Sequence, residues 1–258
     1  MRLSAGLVLL ACVTLPGRAG AHFHLLLPSS HAARKGEPVL LTCRWGHPFE
    51  HQLFDAHQPL SLTVRAPNGK KVDLSRSLEK IDVPAGDRPV VAFQTRYRPE
   101  ARGDHVFLLD APPVWMDEDG EYFRDTVKVV LHVQTQNGWE ARVGGEAEWV
   151  PLTRPYGLQP GMVFQAQAHA GGRPLAGALV EVERYNEQPP CQLPPDEQIT
   201  RTARTDPNGV VTVTLMEPGW WCLTASTAGG TREHDGKACP VRRRMSLWVF
   251  VDEAAPGR

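Results

Sequence analysis

Residues 126–135, TVKVVLHVQT, decide the fold class. Val127, Val129, Leu131 and Val133 fall on one side of an extended chain, and Lys128, His132 and Gln134 mostly on the other, because successive side chains of a strand point to opposite faces. Upstream, residues 39–45, 60–65, 90–97 and 105–109 are further short runs rich in Val, Leu, Thr and aromatics. Turn-forming groups separate them at Pro67-Asn68-Gly69, Pro84-Ala85-Gly86-Asp87, Arg102-Gly103-Asp104 and Gln136-Asn137-Gly138. After a Gly- and Pro-rich passage at 144–161 the pattern restarts at 162–168, 179–185, 210–215, 221–226 and 245–251, broken at Gly171-Gly172, Asp206-Pro207-Asn208-Gly209 and Gly229-Gly230. No long amphipathic helical period is visible. The expectation is an all-β chain of two tandem β-sandwich, immunoglobulin-like domains, residues 22–150 and 151–258, preceded by a signal peptide at 1–21.

The signal reading rests on Arg2, the apolar run LVLLACVTL at 7–15 and the small-residue site Ala19-Gly20-Ala21, with cleavage making His22 the new N-terminus. The competing lipoprotein reading, ending at Cys12, meets a bulky Leu10 where a small residue belongs. No later segment approaches the ~20 apolar residues that span a bilayer. The expectation is an exported, periplasmic or otherwise extracytoplasmic protein with no membrane span of its own. Loss of Arg2 and Arg18 leaves 26 Lys and Arg against 29 Asp and Glu, which argues against a nucleic-acid partner. Cys43, Cys191, Cys222 and Cys239 remain, with no C-x-x-C pair. An oxidising compartment permits disulfides, so these cysteines read as structural, as two bridges or as one local bridge with a lone Cys43.

Chemistry concentrates in two places. The first is His22-Phe23-His24. A free α-amine, two deprotonated amides and the imidazole of His24 can form a square plane of nitrogens suited to Cu(II) or Ni(II). Alternatively the amine and imidazole of His22 chelate one ion together, completed by a histidine from elsewhere in the fold; or two terminal histidines bind nothing. The second is Trp45-Gly46-His47-Pro48-Phe49-Glu50-His51, where His47, Glu50 and His51 bring two imidazoles and a carboxylate within five positions. It also spells H-x-x-E-H, a zinc-protease motif that needs a long helix which Pro48 and the neighbouring strands do not offer. The alternative is a polar loop with locally bonded histidines. Asp117-Glu118-Asp119-Gly120-Glu121 lacks the ligand order of a calcium loop, and Arg242-Arg243-Arg244 reads as a charged sheet edge. No nucleophile elbow or phosphate loop is present.

These residues resemble the periplasmic components of nickel/cobalt uptake systems, a bacterial family with a domain of unknown function. Ala21-His22-Phe23-His24, the block at 45–51, Pro151-Leu152-Thr153-Arg154-Pro155-Tyr156, Gly172-Arg173-Pro174-Leu175-Ala176-Gly177-Ala178, Thr205-Asp206-Pro207-Asn208-Gly209 and Gly219-Trp220-Trp221 carry the resemblance. It implies a metal-binding protein working beside a membrane permease in a separate chain, with a nitrogen-rich site at the mature terminus.

The resulting expectation is a non-enzymatic protein that captures Ni(II) or Co(II), with Cu(II) also in play. His22 and His24 are the primary ligands, His47 and His51 complete or neighbour the site, and Glu50 orients an imidazole. The alternatives are a copper-binding protein or copper oxidative enzyme built on the N-terminal histidine, and a structural surface-binding sandwich.

Overall fold

The computed structural model describes residues 22–254; the signal peptide expected at 1–21 and its cut lie outside the described residues. In chain order the strands are β1 (Phe23–Pro28), β2 (Ala32–Ala33), β3 (Val39–His47), β4 (Gln52–Phe54), β5 (Ser61–Arg65), β6 (Lys71–Asp73), β7 (Glu79–Val83), β8 (Val90–Tyr97), β9 (Gly103–Asp110) and β10 (Val114–Met116). Then follow β11 (Glu121–Val133), β12 (Ala147–Pro151), β13 (Met162–Ala170), β14 (Arg173–Pro174), β15 (Leu179–Arg184), β16 (Arg201–Arg204), β17 (Val210–Leu215), β18 (Gly219–His234) and β19 (Lys237–Val251). One turn of α-helix, α1 (Asp196–Ile199), stands between β15 and β16, and a 3-10 turn, Ser75–Ser77, between β6 and β7. No helix among the described residues is long and apolar enough to cross a membrane.

The chain is all-β and sandwich-like, as the alternation predicts, and the strands of the described residues form three sheets. One runs β1-β3-β8-β7 with β4 on β3; the largest runs β16-β15-β18-β19-β11-β9-β5-β6 with β10 and β2 also on β11; the third joins β12, β13, β14 and β17. Trp220, Cys222 and Trp248 pack into the core beneath β1, β3 and β8, with Phe250 against it. Their neighbours Trp221, Leu223, Leu247 and Val249 pack instead with Trp149, Phe164 and Val211 of the third sheet. Since adjacent side chains of a strand point oppositely, the two smaller sheets lie on opposite faces of the ten-stranded one. That sheet crosses the division expected near residue 150: β11 and β19 pair in parallel from Tyr122↔Val241 to Val129↔Trp248.

Several local expectations change. Residues 126–133 of that run are the C-terminal part of a 13-residue strand, which ends where Gln134 takes a positive φ of 63°. Lys128 does not face water. It is 1% exposed, and its ammonium donates to Glu148 and to the carbonyls of Ala141 and Trp149. Gly229-Gly230 is no turn between strands; it is a bulge within β18, where the pairing with β19 shifts between Ala228 and Thr231. The true turn is Asp235-Gly236, with φ of 49° and 75°.

The four cysteines among the described residues are free thiols, against the disulfide expectation. Cys222 sits opposite Trp248, while Cys239 sits opposite Arg232 at the far end of the same hairpin. Ten residues of strand put them about 30 Å apart, several times the reach of a disulfide. Burial pushes the thiols of Cys43 and Cys222 up to about 12, so both behave as small apolar residues.

Candidate metal centre

Pairing of β1 with β3 builds the site. The register sets Phe23 against Gly46 and His24 against Trp45, so one step further His22 falls opposite His47. Their rings stand edge to face with centroids 4.5 Å apart. Trp45 and Phe54 wall the pair, at 5.4 and 5.3 Å from the His22 ring, and Phe54 is 5.4 Å from His47. The exposed ring of His57 reaches the edge of Trp45, at 5.7 Å. Gly46 makes this closure possible: at φ 157° an added Cβ would stand 2.1 Å from the Gln52 carbonyl of β4. Any larger residue would push β4, and Phe54 with it, off the histidines.

Behind this pair lies a buried charge network. His24, 3% exposed, is bonded through Nδ1 to Asp125 Oδ2 at 2.7 Å. Arg244 donates Nε to Asp125 Oδ1 at 2.7 Å and Nη2 to Oδ2 at 2.6 Å, and Nη2 also reaches the His22 carbonyl at 2.5 Å. Trp248 Nε1 donates to the His24 carbonyl at 3.1 Å. Burial works to raise the Asp125 carboxyl, but the charge and hydrogen bonds of Arg244, with His24 adding to them, hold it well below the usual carboxylate range. Arg244 is thus no edge charge. It lies directly opposite Asp125 in the β11–β19 register and is 3% exposed.

Three imidazole nitrogens are buried with no hydrogen-bond partner among the described residues, and two of them, Nε2 of His24 and Nε2 of His47, belong to this region; the third is Nδ1 of His169. His24 has the form of a ligand oriented by a carboxylate, with the far nitrogen left over. The square-planar arrangement at the terminus does not form in this conformation. Such a ring, closing through the His24 amide nitrogen, reaches the nearer ring nitrogen, and that atom is held by Asp125 while the backbone of β1 is paired with β3.

His51 leaves the group. At φ 53° it turns at the end of the 48–51 loop, bonds Asn186 O through Nδ1 at 2.8 Å and packs on Tyr185. Glu50 is half-buried in the same turn, and no hydrogen bond joins it to an imidazole among the described residues. The turn is not helical, which removes the protease reading of H-x-x-E-H. It is pinned to the second half of the chain: Phe49 N donates to Glu183 at 3.0 Å, Asn186 Nδ2 to Phe49 O at 2.6 Å and Asn186 N to Pro48 O at 3.1 Å. Among the described residues, no group of three or more His, Cys, Asp or Glu side chains is set to hold a metal ion. A site at His22 and His47 therefore needs a third donor from the main chain.

Asp125 and Phe54 carry no mark in the sequence reading, and Arg244 enters it only as part of a charged sheet edge. One signal was available for Asp125: an acid in phase with the apolar side Phe123, Val127, Val129 of a strand is either paired or misplaced.

A family model described as "Domain of unknown function (DUF4198)" matches residues 19–229. No curated protein matches the chain. Among solved structures, native E. coli alpha-2-macroglobulin aligns at 15% identity over 90% of this chain and 14% of that one, with a TM-score of 0.24. The D0-D1 domain of intimin aligns at 12% identity over 87% and 96%, with a TM-score of 0.21, and dimeric latent PorU from Porphyromonas gingivalis at 12% over 90% and 20%, with 0.24. The chain spans about a seventh of the macroglobulin's length. At these scores the alignments carry nothing about function, whereas the family match covers most of the sequence: the chain belongs to the DUF4198 family, a domain of unknown function.

Proposed function

We propose that this protein captures Ni(II) or Co(II) outside the cytoplasm and presents it to a membrane transporter in a separate chain, without catalysing a reaction itself. The observation that carries the reading is the contact of the His22 and His47 imidazoles at 4.5 Å, with Nε2 of His47 buried and unpartnered. Cleavage after Ala21 supplies the third donor, the α-amine of His22, which chelates with its own imidazole. Three neutral nitrogens suit late first-row divalent ions, and the remaining coordination positions allow hand-over to a partner. His24 supports the site from behind, held by Asp125, while His51 and Glu50 belong to the loop that follows it.

The same three nitrogens favour Cu(II) over Ni(II) and Co(II) by intrinsic affinity, so a copper protein or copper oxidative enzyme is the second reading. The aromatic wall of Trp45 and Phe54 beside the imidazole pair is compatible with either.

The test is titration calorimetry of Ni(II), Co(II) and Cu(II) on protein with a verified His22 terminus, on a form with one extra Gly before His22, and on His47→Ala. Loss of tight binding in both altered forms is expected. Tight binding that survives both would sink the reading, and a reductant-dependent oxidation by the copper-loaded protein would move it to the second one.

A further inference from the structure

On the side of β3 away from His47, a cleft of about 640 Å³ opens between β1, β3, the loop at 83–86 and the loop at 185–189. Its size falls within the range of small-molecule sites. Leu27, Leu53 and Trp220 give it apolar walls, and Thr42, Arg44 and Tyr185 give it polar ones.

Arg44 is the unusual member. Arg244, Arg124, Arg184 and Arg243 meet carboxylates, and of the half-buried arginines without an ion pair Arg154 bonds the Tyr156 carbonyl and Arg201 lies over Trp221. Arg44 makes no ion pair among the described residues. Its Nη1 donates to the Tyr185 hydroxyl at 2.7 Å, and its Nε is buried with no partner. Tyr185 is itself buried, so this bond holds the guanidinium at the cleft wall and does not neutralise it. The carboxylate in the lining, Glu187, is exposed on the 185–189 loop and forms no ion pair with Arg44. The guanidinium is half-buried, so its charge is presented at the cleft surface beside apolar walls, where an anion can reach it.

We infer that this cleft binds a small organic monocarboxylate, its carboxylate on Arg44 and its hydrocarbon body against Leu27, Leu53 and Trp220. One cation and an exposed Glu187 select a single negative charge over a dianion. The planar guanidinium selects a carboxylate, whose two oxygens match paired N–H donors. His51 also lines the cleft, its Nδ1 fixed by Asn186 O, so its other ring nitrogen is available to a polar substituent.

The probes are 3-phenylpropionate and hexanoate, with 3-phenylpropionamide and inorganic sulfate as controls, titrated into the signal-free protein by calorimetry and thermal melting. Saturable binding of at least one carboxylate is expected, with no binding of the amide or of sulfate. Arg44→Gln should weaken the carboxylate at least about tenfold, the worth of a charged hydrogen bond, and leave the Ni(II) titration unchanged. No saturable binding of either carboxylate up to about 10 mM, which is weaker than about 3 kcal/mol, overturns the inference. So does equal binding of the amide, or carboxylate binding that survives Arg44→Gln. Should that variant fail to fold, the carboxylate against amide comparison on the unaltered protein decides.

Discussion

Two buried charge networks grow from β11 three residues apart, and they end differently. Lys128, facing the third sheet, spends its ammonium on Glu148 Oε2 and two carbonyls, while Glu148 also accepts from Val143 N and Gly144 N. Every polar atom of the Lys128 and Glu148 side chains has a partner, and the leftover Nδ1 of His169, opposite Glu148 in the β12–β13 register, faces no second imidazole among the described residues. Asp125, facing the first sheet, satisfies Arg244 twice and His24 once, yet the far nitrogen of His24 remains unpaired and Arg244 reaches out to the His22 carbonyl. A closed network is structural, and one with capacity left over beside two contacting imidazoles is where a ligand belongs.

The largest effect should come from opening the closed network. Lys128→Met strands the Glu148 carboxylate, and a buried ion left without its partner costs about 3–5 kcal/mol. Adding Glu148→Leu should recover most of it, measured as denaturant midpoints. A single-variant loss below about 1 kcal/mol would break the comparison, since Lys128 would then be an ordinary surface lysine that happens to point inward.

Next in size is a pH effect at Glu183, which clamps the 48–51 turn through Phe49 N and accepts from Thr200 Oγ1. Burial drives its carboxyl up to about 8, against the lowering effect of those two hydrogen bonds. A raised folded value means that the contribution is complete below the ordinary value of 4.5 and is lost as pH climbs through about 8. Glu183→Gln should therefore flatten the stability profile across that window, by roughly 3 kcal/mol, followed by melting at pH 5 and pH 8.5. Asp125 has the opposite sign. Its folded value is depressed, so its stabilisation is present above about pH 4 and disappears as pH falls through the folded value. An acid limb of about 2 kcal/mol in the native protein, absent from Asp125→Asn, is the expected result.

These contrasts also mark what the sequence could tell. The alternation at 126–135 and the runs around it announced the sheets, because a period of two needs only local reading. The β18–β19 hairpin escaped: residues 227–244, rich in Thr, Gly and Arg, carry no apolar alternation, and a glycine pair at a bulge looks the same in sequence as one at a turn. The cysteines misled for a related reason, since sequence proximity says nothing about which end of a 15-residue strand each occupies. In the site, the His22–His47 contact was legible as two candidates but not as a pair, because their meeting depends on the β1–β3 register. His51, four residues from His47, looked the nearer partner until a positive φ turned it away. Arg244 pairs with a carboxylate 119 positions earlier, and no local pattern announces such a partner.

The smallest effect tests the sharpest part of the comparison, whether the open network serves the terminus. Arg244→Lys keeps a positive charge opposite Asp125, so the carboxylate stays compensated. A compact ammonium cannot hold both carboxylate oxygens and the His22 carbonyl as the planar guanidinium does. Stability should fall by about 1 kcal/mol, the worth of one or two hydrogen bonds. Ni(II) affinity should fall about two- to tenfold although no ligand is removed, because β1 then presents the His22 ring less firmly to His47. Lys128→Met provides the contrast, with a larger loss of stability and unchanged affinity of the folded protein. If both variants lose affinity in proportion to stability, the two networks are alike, and the unpaired nitrogen of His24 marks only a packing imperfection.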